Sequence, residues 1–149
     1  PDKKTFIYAG AAADPSCKNQ RSLQNRMRKK KEAGARFIQT QMIMEKENLI
    51  EFCEKISNPL EIPVIAGVFL LKSYKNALFI NKYVPGAYIP ENILNRLKDA
   101  KHPLQEGIQI AAEQAQDFIN IADGIHLMAV KAEHLIPEIL EKADLNLEY

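Results

Sequence analysis

A basic helix, a glycine turn and a strand that stops on polar amides follow one another within Lys30–Met42, KKEAGARFIQTQM. That succession constrains the fold more than any other stretch of the chain. Gly34, between Ala33 and Ala35, can take the left-handed conformation that ends a helix without steric cost. Arg36-Phe37-Ile38 then begins a β-rich run with no room for a helical period. Gln39-Thr40-Gln41 places uncharged hydrogen-bonding groups where the apolar strand stops. In parallel α/β proteins, that end of a strand is where ligands sit. A glutamine there donates and accepts at once, which suits a heterocycle with both kinds of edge.

The same β-loop-α phrase recurs along the chain. Thr5–Ala9 is β-branched and aromatic and predicts a first strand, followed by a small-residue loop, Gly10–Pro15, closed by Asp14-Pro15. Gln20–Lys31 predicts a helix with Leu23 and Met27 on its buried side, and Arg36–Met42 the second strand. Apolar residues at 49, 50, 52, 53 and 56 predict a short helix that Asn58-Pro59 stops. Ile62–Leu71 is nearly all apolar, as a strand buried on both faces should be. Ser73 is a candidate cap for a helix from Tyr74 to about Tyr83, broken by Val84-Pro85-Gly86-Ala87. Ile89-Pro90-Glu91 opens another helix, with Ile93, Leu94 and Leu97 inward. After a linker, Lys101-His102-Pro103, the residues Ile108, Ala111, Ala115, Phe118 and Ala122 trace the clearest helical period in the chain. Gly124–Val130 predicts a fourth strand, and about Leu135 to Lys142 a last helix with Pro137 near its start.

Four such units imply a parallel sheet with right-handed crossovers. A complete (β/α)8 barrel needs about 250 residues, and this chain has 149. The expectation is therefore an α/β fold over residues 1–149 as a single domain, either a small open sheet or the second half of a barrel. No Gly-x-Gly-x-x-Gly follows a strand and no Walker loop is present, against a Rossmann domain or a P-loop enzyme. With a net charge of +1 and charged residues at 26%, composition carries no argument for nucleic acid. No long apolar run predicts a membrane span, and no signal-peptide pattern precedes the first strand. Cys17 and Cys53 lack metal-ligand spacing, so a reduced, cytoplasmic protein without a metal site is expected.

Four stretches together resemble the C-terminal half of methylenetetrahydrofolate reductase, a flavin-dependent barrel enzyme. Tyr8–Pro15 (YAGAAADP) is similar to the family's fifth-strand loop beside the flavin. Arg28–Gln41 (RKKKEAGARFIQTQ) is similar to its basic helix, Ala-Gly-Ala turn and sixth strand. Pro63–Ala77 is similar to the seventh strand and loop, and Asp123–Met128 to the eighth strand.

The resemblance implies FAD as cofactor, NAD(P)H as co-substrate and a folate as substrate. By position, Gln41 matches the glutamine that hydrogen-bonds the pterin, and Asn76 a polar side chain that reaches the folate. Lys30, with Lys29 beside it, matches the basic residue near the phosphate-ribityl portion of the flavin dinucleotide. Gly10 and Asp14 fall at flavin-lining positions. Two positions depart from the family: Leu23 stands where an acid contacts the ribityl chain, and about Ala132 stands where an arginine approaches the folate tail. The family's catalytic glutamate belongs to the first half of the barrel, so the catalytic residue of the reaction is not among these residues. That missing half, or a second copy in a homo-oligomer, is the implied partner.

Blander readings stand beside these. Arg26, Arg28 and Lys29–Lys31 are either a solvated helix face or a phosphate clamp. Asp14 before Pro15 is first a turn residue. His126, mid-strand among apolar residues, reads as a satisfied core histidine. The rival functional reading is a non-catalytic half-barrel that binds flavin, pterin or a partner chain, pairing through its first and fourth strands. A third is a pterin-binding methyltransferase barrel, which needs no flavin.

Overall fold

The computed structural model describes residues 7–145. Its strands are β1 (Gly10–Ala13), β2 (Phe37–Met42), β3 (Val64–Phe69) and β4 (Gly124–Met128). They form one parallel sheet in the order β1-β2-β3-β4. Consecutive parallel neighbours joined through helices are the arrangement of half of a (β/α)8 barrel.

The helices are α1 (Gln20–Glu32), α2 (Lys46–Phe52), α3 (Asn58–Leu60), α4 (Tyr74–Tyr83), α5 (Glu91–Asp99), α6 (Pro103–Ile119) and α7 (Ile136–Lys142). Local chemistry sets their ends. The Asn19 side chain accepts from Ser22 N at the start of α1, and Gly34 follows its end at φ 104°. Ser73 Oγ accepts from Asn76 N and caps α4. Pro103 opens α6, where a missing N–H costs nothing.

Helices cover one side of the sheet. Ile38, Val64, Ala66 and Val68 are buried there against Leu23, Met27, Phe52, Ile108 and Phe118. A second apolar cluster joins Leu71, Ala77, Ile80, Ile93 and Leu97, with Met42 and Phe69 from the last positions of β2 and β3. It seats α4 and α5 at the C-terminal end of the sheet. The Arg96 side chain ties α5 to α6 through Glu106 at 2.7 Å and Glu113 at 2.6 Å.

Several boundaries differ from the sequence expectation. The first strand is Gly10–Ala13, within the stretch expected to be a loop. Of the expected strand, Thr5 and Phe6 lie outside the described residues; Ile7 and Tyr8 are 81% and 72% exposed. The cause is register: Gly10 pairs with Phe37, whose ring lies over it in the place a Cβ would need. Asn58-Pro59 does not end its helix. A π-turn at Cys53–Ser57 widens the helix and lets the chain run through Pro59, until Glu61 turns left-handed at φ 47°. The third and fourth strands are shorter than predicted, ending at Phe69 and Met128. Pro103 belongs to α6 rather than to a linker, and Ala122 lies past its end.

Candidate functional site

The C-terminal end of β2 is irregular. Register along β2 and β3 runs from Gln39–Ile65 to Met42–Gly67, so three residues of β2 are spent against two of β3. This is a β-bulge, a device that re-aims a side chain. Thr40 holds it. Its buried hydroxyl accepts from Gly67 N at 2.8 Å and donates to the Gln41 carbonyl at 2.8 Å, replacing the lost ladder bond. Gly67 leaves the room: a Cβ there would lie 2.6 Å from Gln41 O. The result is an exposed Gln41 side chain on the rim.

Gln41 stands between two adjoining depressions. One, about 420 Å3, is lined by Gly10, Ala12, Phe37, Gln39, Gln41 and Met128. The other, about 270 Å3, is lined by Ala12, Asp14, Leu23, Arg26, Lys30 and Gln41. The first is small-residue and apolar with two carboxamides; the second carries two cations and one acid. Lys30 Nζ donates to the Ala12 carbonyl, which holds its ammonium over the end of β1.

The structure thus brings Asp14, Lys30 and Gln41 together at the C-terminal ends of β1 and β2, whereas Gly10 opens β1 at its other end and lines only the first depression. Asp14 Oδ1 accepts from Ser16 N at 2.9 Å, which makes it a turn residue at the rim. The turn after α4 reaches it, since a Cβ on Gly86 would lie 3.3 Å from Asp14 Oδ2. Lys29 is elsewhere on α1, beside Asn19, Ser22 and Asn25. Asn76 lies in the first turn of α4, where its Oδ1 accepts from Lys72 N at 3.2 Å. Lys72 Nζ donates to the Val130 carbonyl at 3.0 Å and joins the loops after β3 and β4. Leu23 and Ala132, the two departures, are both buried.

Sequence reasoning passed over one pair. Gln39 Nε2 and His126 Nδ1 lie 2.9 Å apart on the sheet face away from the helices. His126 is half-buried there, with a carboxamide partner rather than an apolar enclosure. The available signal was His126 as the one polar side chain in β4 and Gln39 as the first of three polar residues in β2. Cys53 offers no nucleophile: burial pushes its thiol up to about 11, helped by Asp123 and Glu54. Among the described residues, no three His, Cys, Asp or Glu side chains are grouped to hold a metal ion.

The family model described as methylenetetrahydrofolate reductase matches residues 7–144. The chain belongs to that family. A curated relative, the probable methylenetetrahydrofolate reductase (NADPH) of Caenorhabditis elegans, is 29% identical over 128 residues. That match covers 80% of this chain and 19% of the relative. A solved structure from Clostridium thermocellum superposes with a TM-score of 0.67 at 18% identity, covering 90% of this chain and 51% of that one. It is described as an uncharacterized protein that binds two copies of 5-methyl-5,6,7,8-tetrahydrofolic acid. At that identity the likeness shows the fold. The chain therefore spans about a fifth of the curated methylenetetrahydrofolate reductase relative and about half of the solved neighbour.

Proposed function

We propose that these residues form the C-terminal four βα units of a cytoplasmic reductase. The reaction moves a hydride from NAD(P)H, by way of FAD, to the one-carbon unit of 5,10-methylenetetrahydrofolate. The observation that carries this is the bulge at Thr40-Gln41, which sets a carboxamide between an apolar depression and a cationic one.

The residues fit a flavin. Ala12 keeps one wall low, although the Phe37 ring rather than open space lies over Gly10, and Lys30 with Arg26 supply charge for phosphate. A flavin bound there supplies the two-electron relay between nicotinamide and folate. Gln41 orients the pterin, because a carboxamide can meet a donor and an acceptor together. Phe37 and Met128 line the apolar wall. Asp14 is the one acid lining the two depressions, and its carboxylate is engaged by the Ser16 N–H. The proton that opens the substrate ring therefore comes from outside these residues, in keeping with a glutamate in the first half of the barrel.

The test is spectroscopic. The complete protein, with the first half of the barrel in place, is expected to carry a flavin spectrum that NADH or NADPH bleaches and methylenetetrahydrofolate restores, whereas residues 1–149 alone are expected to be inactive. A protein that neither retains nor takes up flavin overturns the reading.

A second reading rests on the strand edges. Among the described residues, β1 and β4 are each paired on one side only. Another copy of the chain, or the other half of a barrel, could pair there and give a homo-oligomer without catalysis. A dimer in sedimentation, with flavin bound but never reduced, would favour it.

A further inference from the structure

Both carboxamides of β2 line the same depression, yet only one has a fixed direction. Gln41 is exposed and makes no side-chain hydrogen bond among the described residues, whereas Gln39 is half-buried and held by His126. The bond spans from β2 to β4 over β3, where Gly67, paired with His126, contributes no side chain. With the carboxamide nitrogen donating, Nδ1 accepts and the imidazole carries its proton on Nε2. One Gln39 N–H is then spent. Its Oε1 has no partner among the described residues, and Gln39 lines the depression together with Phe37 and Met128. A half-buried acceptor beside an apolar wall is a recognition group, because an unmatched partner there loses water without gaining a bond.

We infer that Gln39, fixed by His126, is a second pterin-positioning carboxamide that works with Gln41 on the donor-acceptor edge of the ring. His126 acts through Gln39 and is a positioning residue. The inference rests on the folate reading above and adds which residues set the ring's orientation.

The experiment is calorimetric titration of the protein with 5-methyltetrahydrofolate, with FAD affinity and melting temperature measured on each variant. Gln41→Ala tests the underlying reading; Gln39→Leu, His126→Phe and the double variant test this one. Gln39→Leu is expected to weaken pterin binding roughly five- to ten-fold, the loss of one neutral hydrogen bond. His126→Phe should weaken it comparably, and the double variant no further, because the two side chains act as one unit. FAD affinity should fall less than pterin affinity. If Gln41→Ala weakens pterin binding and Gln39→Leu does not, this inference falls and the folate reading stands. If the unmodified protein binds no pterin, both fall. Additive losses in the double variant, or equal losses of FAD and pterin, would reduce the pair to a structural bridge and overturn the inference.

Discussion

The two faces of the sheet are built differently. On the helix side, Ile38, Val64, Ala66 and Val68 lie under α1, α2 and α6 at 1% exposure or less. On the other side, Phe37, Gln39, Ile65, His126 and Met128 are all half-buried. A parallel sheet is ordinarily covered on both faces. On the half-barrel reading, the closed face packs under the chain's own helices, and the open face is the one a complete barrel turns inward, where the polar groups Gln39 and His126 are bonded to each other.

The largest test of that contrast strikes the closed side. Gly107 of α6 packs against the Leu71 carbonyl so closely that a Cβ would overlap it. Gly107→Ala is expected to cost about 3 kcal/mol or more by denaturant unfolding, because the helix must back away from the loop after β3. A loss within a few tenths of a kcal/mol would mean that α6 is not locked where it lies. Next comes a matched pair. Phe118→Ala removes a ring buried to 1% exposure, and about 3–5 kcal/mol should go with it. Phe37→Ala, on the half-buried face, should cost about 1 kcal/mol. Equal losses would erase the distinction between the faces.

The smallest effect is read in pH. Burial, then Asp123 and Glu54, hold the Cys53 thiol protonated up to about 11 against an ordinary 9.0. The unfolded chain releases that proton first, so the folded state loses stability as pH rises from about 9 to 11 and keeps it in full below. In Cys53→Ala the decline over that window should be shallower than in the unmodified chain. Identical slopes would show that the thiol does not report the closed face.

Much of the architecture was legible along the chain. Residues 20–32 and the period through Ile108, Ala111, Ala115 and Phe118 carry their own helical signature, and the Ala-Gly-Ala turn announces β2. The site was half legible. Gln41 stood out because an amide at the end of an apolar run is conspicuous, and Lys30 because it lies on the same helix-turn-strand phrase. Lys29 shows the limit: adjacent in sequence, it lies on another side of α1 from Lys30, because each helical residue turns about 100°.

Local sequence therefore determined the alternation of strand and helix, the helix caps and the polar end of β2, since periodicity and capping act within a few residues. Tertiary structure alone decided the rest. The strand at Gly10–Ala13 has little β propensity of its own and forms because Phe37 needs a glycine beneath its ring. The bulge exists because Thr40 and Gly67, far apart in the chain, satisfy one another. Gln39 found His126 because β2 and β4 flank the same strand, 87 residues apart in sequence and 2.9 Å apart in space. Such pairings depend on register, and register is settled only when the strands meet.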